Sequence, residues 1–81
     1  MNPRIISLKL LDNFLLELTF TNNEVREFEM KPYLSYPVYE PLNDKVFFQK
    51  ARVLMGTVAW NDEIDMSPAT LYLKSRTVVS Q

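Results

Sequence analysis

The sequence predicts an α+β domain, in which an antiparallel sheet combines a three-stranded N-terminal meander with a C-terminal hairpin, and two short helices complete the fold. Three observations indicate this class. Apolar and polar residues alternate over residues 4–11 and 14–20, as they do in half-buried strands. The only glycine, Gly56, lies between two further short apolar runs, where a tight hairpin turn needs it. Ser67-Pro68 is typical of the first residues of a helix.

Length and composition limit the organisation of the chain. Its 81 residues predict a single domain, residues 1–81. A hydrophobic fraction of 47% with 23% charged residues is normal for a globular protein and argues against disorder. There is no cysteine, and no apolar run resembles a signal peptide or a membrane span. We therefore expect a cytoplasmic protein with no membrane partner.

Charge and residue types exclude several classes of function. Nine basic and ten acidic residues give a formal charge of −1, and the basic residues are scattered, so no direct nucleic-acid partner is expected. The absence of histidine and cysteine excludes zinc sites and the common nucleophilic arrangements. One glycine cannot build a phosphate-binding loop. We therefore predict no catalytic residue, no cofactor and no metal ligand, and a protein that is not an enzyme.

The first two strands are predicted over residues 4–11 and 14–20. A two-residue loop between them would set core residues opposite solvent-facing residues, because a slip of one position moves every side chain to the other face. A three-residue loop, Leu11-Asp12-Asn13, pairs Leu10 with Phe14 and keeps the faces consistent, so we predict this register. The residues of the inward face are then Ile6, Leu8, Leu10, Phe14, Leu16, Leu18 and Phe20.

A third strand is predicted over residues 25–30. Asparagine tolerates the left-handed backbone of a tight turn, so Asn22-Asn23 marks the preceding loop. Counting Glu24 into this loop pairs Leu18 with Phe28 and places both in the core. The three strands then form an antiparallel meander.

Residues 31–42 contain three prolines, which disfavour a central strand and most helices. Tyr33, Tyr36 and Tyr39 recur at every third position, a spacing that aligns them along one edge of a polyproline-like segment. Two interpretations stay open. The segment is either a connector whose rings cover the core with their hydroxyls in water, or an aromatic surface that binds another protein.

A second hairpin is predicted from residues 51–54 and 57–60. Met55-Gly56 forms its two-residue turn, of the type I′ that needs positive φ at both positions. This register opposes Val53 with Val58, so the two-residue loop keeps the apolar residues together.

Two short helices are predicted. One covers residues 44–50, begins at the capping pair Asn43-Asp44 and turns a phenylalanine inward. The other begins at Ser67-Pro68. Residues 75–81 are expected to form a polar or loosely paired tail.

Trp60, the only tryptophan, precedes an acidic cluster of Asp62, Glu63 and Asp65. Carboxylates bind hard cations, but the glycine and glutamate positions of an EF-hand loop are not filled here. We therefore predict that the acids solvate a turn and favour the positive end of the following helix. Two interpretations of Trp60 stay open: we favour a core residue, with Tyr72 packed beside it, over an exposed recognition residue.

Four stretches carry a resemblance to a known family. They are Phe20–Arg26, the Pro-Val-Tyr-Glu-Pro-Leu connector at residues 37–42, Asp44–Phe48 and, most specifically, Trp60 followed by Ile64-Asp65-Met66-Ser67-Pro68 and Leu71-Tyr72. In these residues the chain resembles the bacterial domain-of-unknown-function family 2442. It departs from the usual family pattern in two surface turns, at Asn22-Asn23 and at Asn61. The resemblance implies a small α+β domain with no established activity, and a gene that often neighbours the gene of another small protein.

These observations favour a non-enzymatic protein-interaction module, the antitoxin-like partner of a neighbouring small protein. The alternative is a small-ligand or cation-binding domain that uses Trp60, Tyr72 and Asp65. An exposed edge strand would also allow the chain to form oligomers. The candidate interaction surface comprises Tyr33, Tyr36, Tyr39, Trp60, Asp65 and Tyr72.

Overall fold

The computed structural model describes residues 2–61 and 63–78, which contain short strands, two 3₁₀ helices and two α-helices. In chain order the elements are β1 (Ile5–Leu11), β2 (Leu15–Phe20), β3 (Val25–Glu29), the first 3₁₀ helix (Lys31–Tyr33), the second 3₁₀ helix (Pro37–Asn43), α1 (Lys45–Phe48), β4 (Arg52–Leu54), β5 (Thr57–Ala59), β6 (Asp65–Met66), α2 (Pro68–Lys74) and β7 (Arg76–Thr77). Within these residues the strands form two antiparallel sheets, with the orders β1-β2-β3-β7 and β4-β5-β6. The predicted α+β class is confirmed, but the meander and the hairpin lie in two sheets and not in the one sheet that was predicted.

The loop between β1 and β2 has the predicted length but lies one residue later in the chain. Leu11 opposes Leu15, so the loop is Asp12-Asn13-Phe14, and the predicted pairing of Leu10 with Phe14 is wrong. The chain reverses direction through two residues with positive φ, Asn13 at 63° and Phe14 at 61°. This conformation is common for asparagine and unfavourable for a bulky side chain. The observed register differs from the predicted one by two positions, so the same residues of β2 still face inward.

The loop between β2 and β3 is displaced in the other direction. It consists of Thr21-Asn22-Asn23, because Glu24 still pairs with Phe20, whose N–H donates to the Glu24 carbonyl at 2.9 Å. Asn23 takes the left-handed conformation, with φ at 70°, that a three-residue hairpin loop needs at its last position. Leu18 therefore lies opposite Arg26, and the predicted pairing of Leu18 with Phe28 is wrong.

Ile6 is the exception on the predicted inward face of β1. The register shifts between Ile5 and Ser7, as in a β-bulge, so that Ile5 opposes Phe20 and is buried. An extra residue at a bulge reverses the alternation of side chains. Ile6 is consequently 54% exposed, and its predicted inward position is wrong.

The second hairpin has the predicted register. Val53 opposes Val58, and the turn residues Met55 and Gly56 have φ of 53° and 83°, the positive values of a type I′ turn. A Cβ on Gly56 would lie 2.9 Å from the Cβ of Arg4, so glycine also allows this close approach. The hairpin belongs to the second sheet, where β6 adds a third strand that was not predicted.

The predicted helices are present, and both begin at the expected caps. The Asp44 carboxylate accepts from the Val46 N–H at 2.9 Å, and α1 is shorter than the predicted helix over residues 44–50. The Ser67 hydroxyl accepts from the Thr70 N–H at 3.2 Å, and Pro68 occupies the first turn of α2. No helix within the described residues is long and apolar enough to cross a membrane.

β7 connects the end of the described chain to the meander. Arg76 opposes Glu27, and the Val78 N–H donates to the Val25 carbonyl at 3.1 Å. The predicted loosely paired tail therefore starts as a short strand, and residues 79–81 lie outside the described residues.

One apolar core draws on both sheets, the second 3₁₀ helix and both α-helices. Full burial of a large apolar side chain contributes about 1.5–3 kcal/mol, so the core dominates the stability of the fold. The largest fully buried side chains are Trp60, Phe20, Phe28, Leu16, Leu18, Met30, Leu42, Leu71 and Val58.

Candidate protein-interaction surface

Tyr33 and Tyr39 lie in the two 3₁₀ helices, and Tyr36 lies between them with an extended backbone (φ −75°, ψ 136°), so the predicted continuous polyproline-like segment is wrong. The N–H of Tyr33 donates to the carbonyl three residues earlier, that of Tyr36 to Tyr33 at 3.1 Å, and that of Tyr39 to Tyr36 at 3.0 Å. Pro32 and Pro37 are compatible with these helices because they fall in the first turns, where an N–H has no partner in any case, whereas Pro41 lies inside the second 3₁₀ helix. Tyr36 and Tyr39 are each bonded to the previous tyrosine across a three-residue turn, so the three tyrosines still align.

The three tyrosine rings pack on one another, and we call Tyr33, Tyr36 and Tyr39 the tyrosine surface. The ring centroids of Tyr33 and Tyr36 are 5.9 Å apart, and those of Tyr36 and Tyr39 are 6.5 Å apart. Tyr33 also stacks on the buried Phe28 ring at 5.3 Å, which fixes the cluster to the core. Tyr36 is the outermost member and is 53% exposed.

The negative charge of Asp65 acts on the tyrosine surface. This residue lies exposed on β6, opposite Ala59, and its charge acts on the Tyr39 hydroxyl. Burial raises the pKa of Tyr39, and the negative charge of Asp65 and the neighbouring Tyr33 raise it further. These surroundings favour the protonated form of the Tyr39 hydroxyl, which can donate a hydrogen bond.

Trp60 is a core residue, as predicted, and it does not belong to a surface. Only 2% of it is exposed, and its Nε1–H donates to the Phe48 carbonyl at 3.0 Å. The Phe48 ring lies 6.0 Å away. Because both the indole ring and its polar atom are satisfied inside the molecule, the inclusion of Trp60 in the candidate interaction surface is wrong.

Tyr72 belongs to a second cluster instead of lying beside Trp60. Its ring packs edge-on against Phe20 at 5.1 Å, and the Arg26 guanidinium lies over the ring at 4.1 Å from its centroid. Its hydroxyl donates to Glu24 Oε2 at 2.7 Å. Tyr72 is thus separated from the tyrosine surface by its own set of contacts.

Glu24 is the centre of this second cluster. Besides the Tyr72 hydroxyl it accepts from Asn22 Nδ2 at 2.6 Å and pairs with Arg26 Nη2 at 2.8 Å. The hydrogen bond from Tyr72 lowers the pKa of Glu24 below its ordinary value of 4.5; burial opposes this shift, while Arg26 and Asn22 strengthen it. Sequence reasoning missed Glu24 because it was counted into the loop. The alternation of polar residues at 22, 24 and 26 is the signal that could have revealed the cluster.

The predicted acidic cluster is described only at Glu63 and Asp65. Asp62 lies outside the described residues, and the turn is organised by Asn61, whose Oδ1 accepts from the N–H groups of Glu63 and Ile64 at 2.8 Å each. Within residues 2–61 and 63–78 no group of three or more acidic residues is arranged to hold a metal ion.

The described part of the chain contains cavities of about 160 and about 350 Å³. The first lies between the β1–β2 loop and α1, and the second lies between the N-terminal residues and the start of α2. Neither is lined by Trp60, Tyr72 or Asp65. The three residues named for ligand binding therefore share neither cavity.

Comparison with known proteins identifies a family and no closer relative. A family model described as "Protein of unknown function (DUF2442)" matches residues 5–77. No curated protein and no solved structure gives a significant match.

Proposed function

The chain belongs to the DUF2442 family of proteins of unknown function, and we propose that it is a non-enzymatic protein-interaction module that binds another small protein. The observation that carries the proposal is the tyrosine surface, in which Tyr36 is 53% exposed although its ring is held by two neighbouring rings. Tyrosine is enriched in the centres of protein interfaces because it supplies a large apolar area and a polar end.

The packing of the tyrosine surface favours recognition. Tyr33 is fixed on Phe28, and Tyr36 packs against both Tyr33 and Tyr39, so the rings are ordered before a partner arrives. Binding to ordered side chains loses less conformational entropy than binding to mobile ones. Asp65 adds a negative charge near Tyr39, which supports a partner with a basic residue at this position.

A finer proposal concerns the partner. We infer that it is the product of an adjacent gene and that the two proteins form an antitoxin-like pair. The formal charge of −1 supports a protein partner over a nucleic acid, since phosphate recognition depends on basic residues. The absence of histidine and cysteine from the chain supports a role in binding over one in catalysis.

The alternative, a ligand or cation site built on Trp60, Tyr72 and Asp65, has less support. Trp60 is buried against Phe48, Tyr72 is bound to Glu24, and Asp65 lies by Tyr39. The three residues lie in three different environments and therefore do not form one site.

The experiment is co-purification of the chain from its native host, followed by isothermal titration with the neighbouring gene product. We expect binding at micromolar concentration or tighter. Tyr36→Ser should weaken it at least about tenfold, because an exposed interface tyrosine is a frequent hot spot. The control is Leu73→Ser, which removes a residue on α2 that is 66% exposed and lies outside the tyrosine surface.

Two results would contradict the proposal. The absence of binding at micromolar concentration would reject the pair with the neighbouring protein. Equal effects of Tyr36→Ser and Leu73→Ser would show that a partner binds elsewhere on the molecule.

A further inference from the structure

The cavity of about 160 Å³ beside the β1–β2 loop combines an apolar floor with a charged rim. Leu10, Phe14 and Phe48 form its apolar part, and Asp12 and Lys45 lie among its polar lining residues. A cavity of about this volume in another protein holds a molecule the size of benzene. The volume is therefore suited to a ligand of about six to eight non-hydrogen atoms.

Phe14 forms part of the floor of this cavity, and its backbone is strained. A φ of 61° is unfavourable for a phenylalanine, whereas glycine would adopt it freely. The conformation is fixed by the Met30 N–H, which donates to the Phe14 carbonyl at 3.0 Å, and by edge-to-face packing of the Phe14 ring on Phe48 at 5.0 Å. Strained residues held by several contacts are concentrated at binding sites.

The charges at the rim indicate the chemistry of the ligand. Asp12 and Lys45 are both exposed and line the same cavity, yet these two described residues do not form an ion pair with each other. Gln49 adds an amide that both donates and accepts hydrogen bonds. A cation and an anion beside an apolar floor match a ligand that carries both charges and a short hydrocarbon group.

We propose that this cavity binds a small zwitterion with the size and charge pattern of a free amino acid that has a short apolar side chain. Its carboxylate meets Lys45, its ammonium group meets Asp12, and its side chain lies on the Phe14 and Phe48 rings. The site is independent of the tyrosine surface, so it can be tested whether or not the chain binds a partner protein.

The test is an NMR titration of the full chain with valine, isobutylamine and isovalerate. The last two compounds keep the hydrocarbon group of valine but carry only one of its charges. We expect valine to shift the amide resonances of residues 12–14 and 45–49 in a saturable way, with a Kd of about 0.1–1 mM. Each single-charge compound should bind at least about tenfold more weakly.

Variants at the rim test the residues. Lys45→Gln and Asp12→Asn should each weaken valine binding at least about tenfold, and the control Lys50→Gln, which changes a lysine outside the cavity lining, should not. The Trp60 indole N–H resonance reports that each variant is folded, because this group is bonded to the Phe48 carbonyl behind the cavity.

Three results would overturn the proposal. They are the absence of a saturable shift with valine up to about 10 mM, equal binding of valine and of either single-charge compound, and wild-type affinity in both rim variants.

Discussion

Tyr72 and Tyr36 lie in two regions of the molecule that use the same side chain differently. The Tyr72 hydroxyl donates to Glu24 Oε2 at 2.7 Å, and its ring is enclosed by Phe20 and Arg26. Tyr36 packs on other tyrosine rings and is 53% exposed, and within the described residues its hydroxyl makes no hydrogen bond. A tyrosine whose hydroxyl is bonded within the chain stabilises the fold, whereas one whose hydroxyl has no such bond is available to another molecule.

The sharpest test of this difference is Tyr72→Ala. The substitution removes the ring from Phe20, the cation–π contact with Arg26 and the hydrogen bond to Glu24. Because the ring is partly buried, we expect the free energy of unfolding to fall by about 2–3 kcal/mol. Urea denaturation measures the change, and a loss below about 0.5 kcal/mol would show that Tyr72 is no more structural than an ordinary surface residue.

Tyr72→Phe separates the hydroxyl from the ring. The ring contacts with Phe20 and Arg26 remain, while Glu24 loses a hydrogen bond. We expect a loss of about 0.5–1.5 kcal/mol in the free energy of unfolding, the usual range for one hydrogen bond. A thermal melt compares the variant with the wild type at neutral pH, and equal melting temperatures would refute a stabilising role for the hydroxyl.

The same cluster predicts a dependence of stability on pH. The pKa of Glu24 is lower in the folded protein than its ordinary value of 4.5, so the folded state favours the carboxylate. Its contribution is therefore fully present above pH 4.5 and is lost as the pH falls through the lower folded-state value. We expect the difference in stability between the wild type and Glu24→Gln to shrink on acidification. Denaturation curves at several pH values measure it, and a constant difference would contradict the lowered pKa.

The smallest effect on stability is expected for Tyr36→Ser. Its ring is largely exposed and supports little of the core, so the free energy of unfolding should change by less than about 0.5 kcal/mol. Urea denaturation beside Tyr72→Ala provides the comparison. A loss as large as that of Tyr72→Ala would mean that the tyrosine surface serves the fold and not a partner.

The register of the second hairpin could be predicted from the sequence, and the registers of the meander could not. Gly56 fixes a two-residue turn, so the pairing of Val53 with Val58 follows. In the meander, a shift of two positions leaves the same residues inward, so the alternating pattern cannot distinguish the observed loops from the predicted ones. The observed loops differ from the predicted ones in which residues take positive φ, namely Phe14 in the first loop and Asn23 in the second. Phenylalanine rarely takes positive φ, so the sequence gives no indication of the first loop.

Other errors have similar causes. Ile5 and Ile6 are both apolar, so the pattern cannot show which one turns inward at the bulge. A spacing of three fits both a polyproline segment and a 3₁₀ helix, because both have three residues per turn, so the alignment of the tyrosines could be predicted but their conformation could not. The cluster of Glu24 with Tyr72 joins positions 48 residues apart, a contact that no local pattern contains.

The pairing of β7 with β3 has a consequence for the order of folding. Arg76 and Glu27 are separated by 49 positions, whereas β1, β2 and β3 are joined by short loops. Contacts between distant positions form late because they require a large loop to close, so we expect the meander to assemble with the edge of β3 open and β7 to dock last. In native-state hydrogen exchange the amide of Val78 should therefore exchange faster than those of central β2. The last strand to dock then covers an edge that another chain could otherwise pair with during synthesis.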